Sequence, residues 1–175
     1  MKKCLVIFDG SNFYHNAKRL TPRVHLTDFN YLKLTQIITG IKKPKIEYCV
    51  GEIKQDHYHN KSAKLYANQQ ALFYYLEKQG IEIKKGFMLR HLVYHEKGVD
   101  VRIALDILKG AIKNEYDECF IISSDTDILP AIRDALKEGK KIIYVGFDKN
   151  LSNAMKANCS KTFIITKKMI KDCAK

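Results

Sequence analysis

The chain has 175 residues, 46% of them hydrophobic, which suits one domain with a sizeable core. Its 31 Lys and Arg stand against 19 Asp and Glu, a formal net charge of +12. That excess favours polyanionic partners, nucleic acid first, although a basic surface that merely keeps the protein soluble has the same composition. No apolar run approaches the ~18 residues of a membrane span. The five apolar residues after Lys2-Lys3 stop at Asp9, short of the roughly 7–15 of a secretory signal. A cytoplasmic protein with no membrane partner is therefore expected.

In chain order, strand-like runs fall at 4–8, 45–50, 81–83, 118–122, 141–145 and 162–165. Helical patterns lie between them. The first, 12–20, is short. Thr27-Asp28 resembles a cap before 29–39, which Gly40 can stop. Residues 62–79 place Leu65, Leu72, Phe73 and Leu76 at a helical period, and Gly80 ends them. Residues 99–112 put Val99, Ile103, Ile107 and Ala111 on one face. Residues 128–136 form the last predicted helix, with Pro130 in the first turn, where its missing N–H breaks no helix bond. The segment 140–175 holds nine Lys and two Asp, a net charge of +7. Cys4, Cys49, Cys119, Cys159 and Cys173 form no CxxC pair and read as reduced thiols rather than a zinc site.

Apolar strands alternating with helices predict an α/β fold with a parallel sheet covered on both faces. Right-handed crossovers then bring the strands' carboxyl ends to one edge, where ligands bind if strand order reverses there. Two acids fall just past such ends. Asp9 follows Cys4-Leu5-Val6-Ile7-Phe8, and Asp125 follows Ile121-Ile122-Ser123-Ser124. If those two strands are neighbours, the acids face each other. Asp127 and Asp100 join them as candidates.

Converging carboxylates ~4 Å apart repel by about 4 kcal/mol at an effective dielectric near 20, so they either protonate or hold a cation. Hard oxygen donors without Cys or clustered His select Mg2+ or Mn2+. Such an ion can activate a water against a phosphodiester. Each residue also has a structural reading. Asp127 can cap the helix at 128, Asp125 can accept turn hydrogen bonds, and Asp100 can complement a helix dipole. Asn12 can cap a helix or orient a phosphate. Asp106 points to another face of the helix that carries Asp100, as a supporting or surface acid. Ser123 and Ser124 offer hydroxyls to the site or to the turn. Asp56-His57-Tyr58-His59 reads as a loop rather than a zinc site. Arg90, His91, Tyr94, His95 and Lys97 mix basic and aromatic groups in a way that suits nucleic acid or plain exposure. There is no GxxxxGK[ST] and no GxGxxG.

Three motifs in this order resemble a NYN domain, a branch of the PIN-like nuclease superfamily, and within it the LabA-like group. They are Val6-Ile7-Phe8-Asp9-Gly10-Ser11-Asn12, Lys97-Gly98-Val99-Asp100-Val101, and Ile122-Ser123-Ser124-Asp125-Thr126-Asp127-Ile128-Leu129-Pro130. Gly139-Lys140-Lys141-Ile142 fits as well. The motifs lie within 3–147 of a single domain spanning 1–175. The resemblance implies a three-layer α/β/α sandwich with a central parallel sheet. It also implies a divalent-metal-dependent ribonuclease with Asp9, Asp100, Asp125 and Asp127 at the metal and Asn12 beside them. Asp106 matches a further acid of the pattern, while Ser124 and Lys97 adjoin the motif acids. Where the family has a small residue and an acid before the last strand, this chain reads Asn158-Cys159-Ser160.

The leading expectation is thus an endoribonuclease using Mg2+ or Mn2+ on RNA, single-stranded by preference, with DNA as the other substrate the chemistry allows. A non-catalytic nucleic-acid-binding or regulatory module on the same fold is the alternative. A phosphatase of small molecules explains the acids but not the charge. A homodimer is compatible with the resemblance, though no sequence feature demands one.

Overall fold

A computed structural model describes residues 2–53, 60–90 and 94–174. The run 56–59 and His91 lie outside the described residues. The elements in order are β1 (Cys4–Asp9), α1 (Gly10–Leu20), α2 (Tyr31–Thr39), β2 (Lys45–Glu52), α3 (Asn60–Lys78), β3 (Glu82–Arg90), β4 (Tyr94–Lys97), α4 (Val99–Ile112), β5 (Glu118–Ile122), α5 (Leu129–Lys137), β6 (Lys141–Phe147), α6 (Asn153–Asn158), β7 (Lys161–Ile165) and α7 (Lys167–Cys173). They form one sheet in the order β4-β3-β2-β1-β5-β6-β7. Every pairing is parallel except β3 with β4. The expected α/β fold with a parallel sheet is present, and an antiparallel edge strand is added to it.

The sheet has a helical layer on each face because β1 is apolar on both sides. Val6 and Phe8 pack with Phe13 of α1, Tyr31 and Leu34 of α2, Leu76 of α3 and Ile170 of α7. Leu5 and Ile7 pack on the other face with Ile103 and Ile107 of α4, Ile132 of α5 and Met155 of α6. Successive strand residues point to opposite faces, so a strand buried on both sides reads as an unbroken apolar run.

Several boundaries differ from the sequence reading. The cap of α2 is Asn30, whose side chain accepts from the Lys33 N–H, not Thr27-Asp28. β3 runs far beyond residue 83, because Lys84, Lys85 and Gly86 carry no apolar pattern yet pair with β2, and the residues from Phe87 to Arg90 then pair with β4. Arg90 and Tyr94 fall on opposite strands of that β3–β4 pair. The helices α6 and α7 are too short to show a period. Their caps, Ser152 and Thr166, were the available signal.

The core at the carboxyl end of β1 is aromatic. Phe13 is fully buried and its ring lies 5.3 Å from Phe8, 5.5 Å from Tyr31, 5.8 Å from Phe29 and 5.7 Å from Phe147. On the other face, Glu47 of β2 is buried at 2% exposure. It accepts from Lys45, 3.0 Å away, while its Oε2 has no partner among the described residues. Burial raises the Glu47 pKa above its usual 4.5, more than the nearby lysines lower it. Lys45 is half-exposed, so it gains from the pair and its own pKa rises through the hydrogen bond to Glu47, although its own burial opposes this.

Phe13→Ala is expected to cost about 3–5 kcal/mol, read as a fall in the urea midpoint at unchanged m. Glu47 favours its neutral form in the folded state. Its contribution is therefore complete below the unfolded value of 4.5 and is lost as pH rises through the raised folded value. Glu47→Gln should gain stability over the wild type at about pH 7 and lose that advantage near pH 4. An equal difference at both pH values would show that burial of the charge is not what sets the pKa.

Candidate active site

Strand order reverses between β1 and β5, and the acids meet at that point. Phe8 is in register with Ile122, so the next residues, Asp9 and Ser123, lie side by side at the carboxyl edge. Asp9 is buried at 5% exposure. One of its carboxylate oxygens accepts from the Asn12 N–H at 3.0 Å and so caps α1. The other accepts from the Ser123 hydroxyl at 2.7 Å. Ser123 Oγ in turn accepts from the Asp125 N–H at 3.1 Å, and Asp125 Oδ1 accepts from the Asp127 N–H at 2.9 Å. A chain of hydrogen bonds thus fastens the β5–α5 loop to the end of β1.

Gly10 follows Asp9 and has no room for a side chain. A Cβ there would sit 2.6 Å from the Tyr48 ring and 2.9 Å from the Cys49 carbonyl. The absence of a Cβ lets α1 start directly on β2, which sets where its N-terminal N–H groups point. Those groups favour negative charge at the edge.

The other candidates are placed as follows. Asp127 is exposed and does not cap α5; the residue at that position is Ile128, which makes no side-chain cap bond. Asp100 is exposed in the first turn of α4, just after Gly98. Gly98 adopts φ 78°, a left-handed conformation that lets the chain turn from β4 into the helix. Lys97 is the exposed last residue of β4. Asp106 accepts from Arg102 Nε at 2.8 Å, a bond that raises the Arg102 pKa. It lies toward the buried Cys49, whose thiol is pushed up mainly by burial, with Glu47, Asp106 and Asp9 adding to it. Ser124 shares a 2.8 Å hydrogen bond with the Tyr144 hydroxyl. Among the described residues, no group of three or more His, Cys, Asp and Glu is placed to hold an ion by itself.

Three participants escaped the sequence reading. Asn16 is buried on α1 and donates both to the Asn12 side-chain oxygen and to its carbonyl, each at 2.9 Å. Asn150, in the loop after β6, donates to Asn16. The Asn12 amide N–H2 keeps no partner among the described residues and is available at the edge. Tyr144 links Ser124 to α6 by accepting from the Ser152 N–H at 3.0 Å. Asn16 was legible in principle. It stands between Phe13 and Ala17 on the buried face of an amphipathic helix, where a polar residue requires a partner. Tyr144 carried no such mark, since a tyrosine in an apolar strand is ordinary.

Ser123→Ala removes one donor to Asp9 and the acceptor of the Asp125 N–H. A loss of about 1–3 kcal/mol in urea unfolding is expected. A loss under about 0.5 kcal/mol would mean that the serine does not hold the two loops together.

Over 57 residues the chain is 37% identical to the uncharacterized protein MJ0482 of Methanocaldococcus jannaschii. The match covers 33% of this chain, and the chain spans only 24% of that relative's length. The fold is similar to the crystal structure of VPA0982 from Vibrio parahaemolyticus, a protein of unknown function. The TM-score is 0.68, over 94% of this chain and 93% of that one, at 19% identity, a likeness that shows the fold alone. The sequence pattern described as the NYN domain matches residues 3–167. Because that match spans nearly all of the sequence, the chain belongs to the NYN domain family, a branch of the PIN-like nuclease superfamily.

Proposed function

We propose that this protein is a divalent-metal-dependent endoribonuclease of the LabA-like kind, cutting single-stranded RNA at the edge between β1 and β5. The observation that carries this reading is the hydrogen-bonded run Asp9–Ser123–Asp125 at the switch point. It holds two carboxylates from distant parts of the chain beside a helix N-terminus. The net charge of +12 supports a polyanionic substrate.

PIN-like nucleases generally use divalent metals. The donor set here is carboxylate oxygen from Asp9, Asp125 and Asp127, with Asp100 in the first turn of α4, and it fits a hard cation. Mg2+ is often held by only one or two carboxylates, with water and substrate phosphate completing the shell. The absence of a closed three-acid cage among the described residues is compatible with that mode. When bound, the ion would supply an activated water and polarise the phosphate.

The chain's own residues have separable roles. Asp9 is held by hydrogen bonds from Asn12 and Ser123, so its orientation costs nothing further when substrate arrives. The Asn12 amide, whose oxygen end is held by Asn16, can donate to a phosphate oxygen, and Lys97 supplies an exposed positive charge nearby in sequence to Asp100. Asp106 supports the α4 face through Arg102 rather than joining the reaction. The second reading is a binding module that keeps the fold without cutting. It is favoured by the structural use already made of Asp9 and Asp125 in cap and turn bonds.

The test is cleavage of an end-labelled single-stranded RNA with Mg2+, Mn2+ or EDTA. Asp9→Asn and Asp125→Asn should each lose about a hundredfold or more in rate and keep RNA affinity. Activity that survives EDTA, or variants that cut like the wild type, would overturn the assignment. RNA bound but intact in every metal would favour the binding module.

A further inference from the structure

We infer that a cleft between α1 and α3 binds one unstacked base of the RNA strand, next to the acidic edge. This inference rests on the ribonuclease reading above for its biological meaning, but not for its geometry. The cleft has a volume of about 300 Å3. Its floor is Tyr31 and Tyr48, and its rim carries Tyr14, Lys18, His25 and Asn68. A pocket of this size lies at the lower end of those that take small ligands.

Position ties the cleft to the acids. Tyr48 is in register with Phe8, one residue before Asp9. Its ring lies under Gly10, the first residue of α1, so closely that a Cβ there would clash. The α3 wall is held at the same edge, because Gln69 donates to the Gly51 carbonyl and accepts from the Ile53 N–H, both at 2.8 Å. The acids and the cleft are therefore adjacent, one at the end of β1 and the other beside β2. A strand whose phosphate lies at Asp9 needs to pass only the N-terminus of α1 to reach it.

Chemistry selects the occupant. The Tyr14 ring is 48% exposed and offers a flat apolar surface. Lys18 stands 6.0 Å from its centroid, held by the carbonyls of Val24 at 2.6 Å and Pro22 at 3.4 Å. The side chains of His25 and Asn68 are exposed and bond to no other described residue. Among the described residues, no carboxylate lines the cleft. An aromatic platform, two exposed polar edges and a positive charge match a nucleobase with its attached phosphate. Stacking on such a platform requires a base already out of a duplex, which selects a single strand.

The experiment has two arms. In the first, nucleoside monophosphates are titrated into the intact protein and the His25 ring is followed by NMR. The shift should saturate, and Tyr14→Ala should abolish it while Tyr14→Phe retains it. No shift up to about 10 mM nucleotide would overturn the base site, whatever the protein does to RNA. In the second arm, single-stranded RNAs carry one abasic residue at successive positions. An abasic residue at one fixed distance from the cut should raise KM about tenfold with kcat unchanged. Tyr14→Ala should raise KM on intact RNA equally and add nothing on the abasic one. Additive penalties, or a KM within about twofold of wild type, would also overturn it. If the wild type cuts no RNA, the ribonuclease reading fails by itself, and the first arm alone decides the cleft.

Discussion

The pairing of β1 with β5 is the constraint on which the rest depends. It makes Asp9 and Ser123, 114 residues apart in the chain, into hydrogen-bonded neighbours. Parallel strands cannot be joined by a tight turn, so each crossover carries a helix across a face of the sheet. The first crossovers run from β1 to β2 and β3, and the chain then returns to the other side of β1 to place β5, β6 and β7. Both loops flanking the switch point consequently open at one edge. A buried carboxylate there is tolerated because its oxygens accept from Asn12 and Ser123.

Polar side chains join apolar anchors such as Ile128 in holding the loops of this edge. Asn16 connects α1 to the loop after β6, and Tyr144 connects the β5–α5 loop to the start of α6. These loops carry backbone groups that cannot all pair within the sheet, and buried groups left unpaired are costly. The same hydrogen bonds limit where Asp125 and Asn12 can point. Local order at the edge and presentation of its oxygens thus have one physical source.

The far edge is managed differently. β4 turns back on β3 and pairs with its last residues, Phe87 to Arg90, which shortens the open edge that β3 presents. The face beneath α4 there is polar as well as apolar, with Glu47, Lys84, Arg102 and Asp106 close to Cys49 or to one another. Charge is therefore concentrated around β2 and α4, while the opposite face of β1 and β2 is lined by Phe8, Phe13, Tyr31 and Tyr48. That aromatic face carries the cleft, and the charged face carries Asp100.

The alternation of apolar strands and periodic helices determined the α/β class, because burial on two faces leaves an unbroken apolar run. The residues 99–112 helix coincides with α4 for a related reason, since Val99, Ile103, Ile107 and Ala111 meet the core at a regular period. The acids at strand ends were visible as charges abutting apolar runs. The length of β3, the β4 edge and the α2 cap were not, because each depends on partners remote in sequence that leave no local pattern. Tertiary structure alone decided that β1 and β5 are neighbours, that Ser123 joins their acids, and that Asn16 and Tyr144 fasten the surrounding loops. Local sequence sets propensity and burial pattern, but which distant hydrogen-bonding groups meet is fixed only by the order in which the strands assemble.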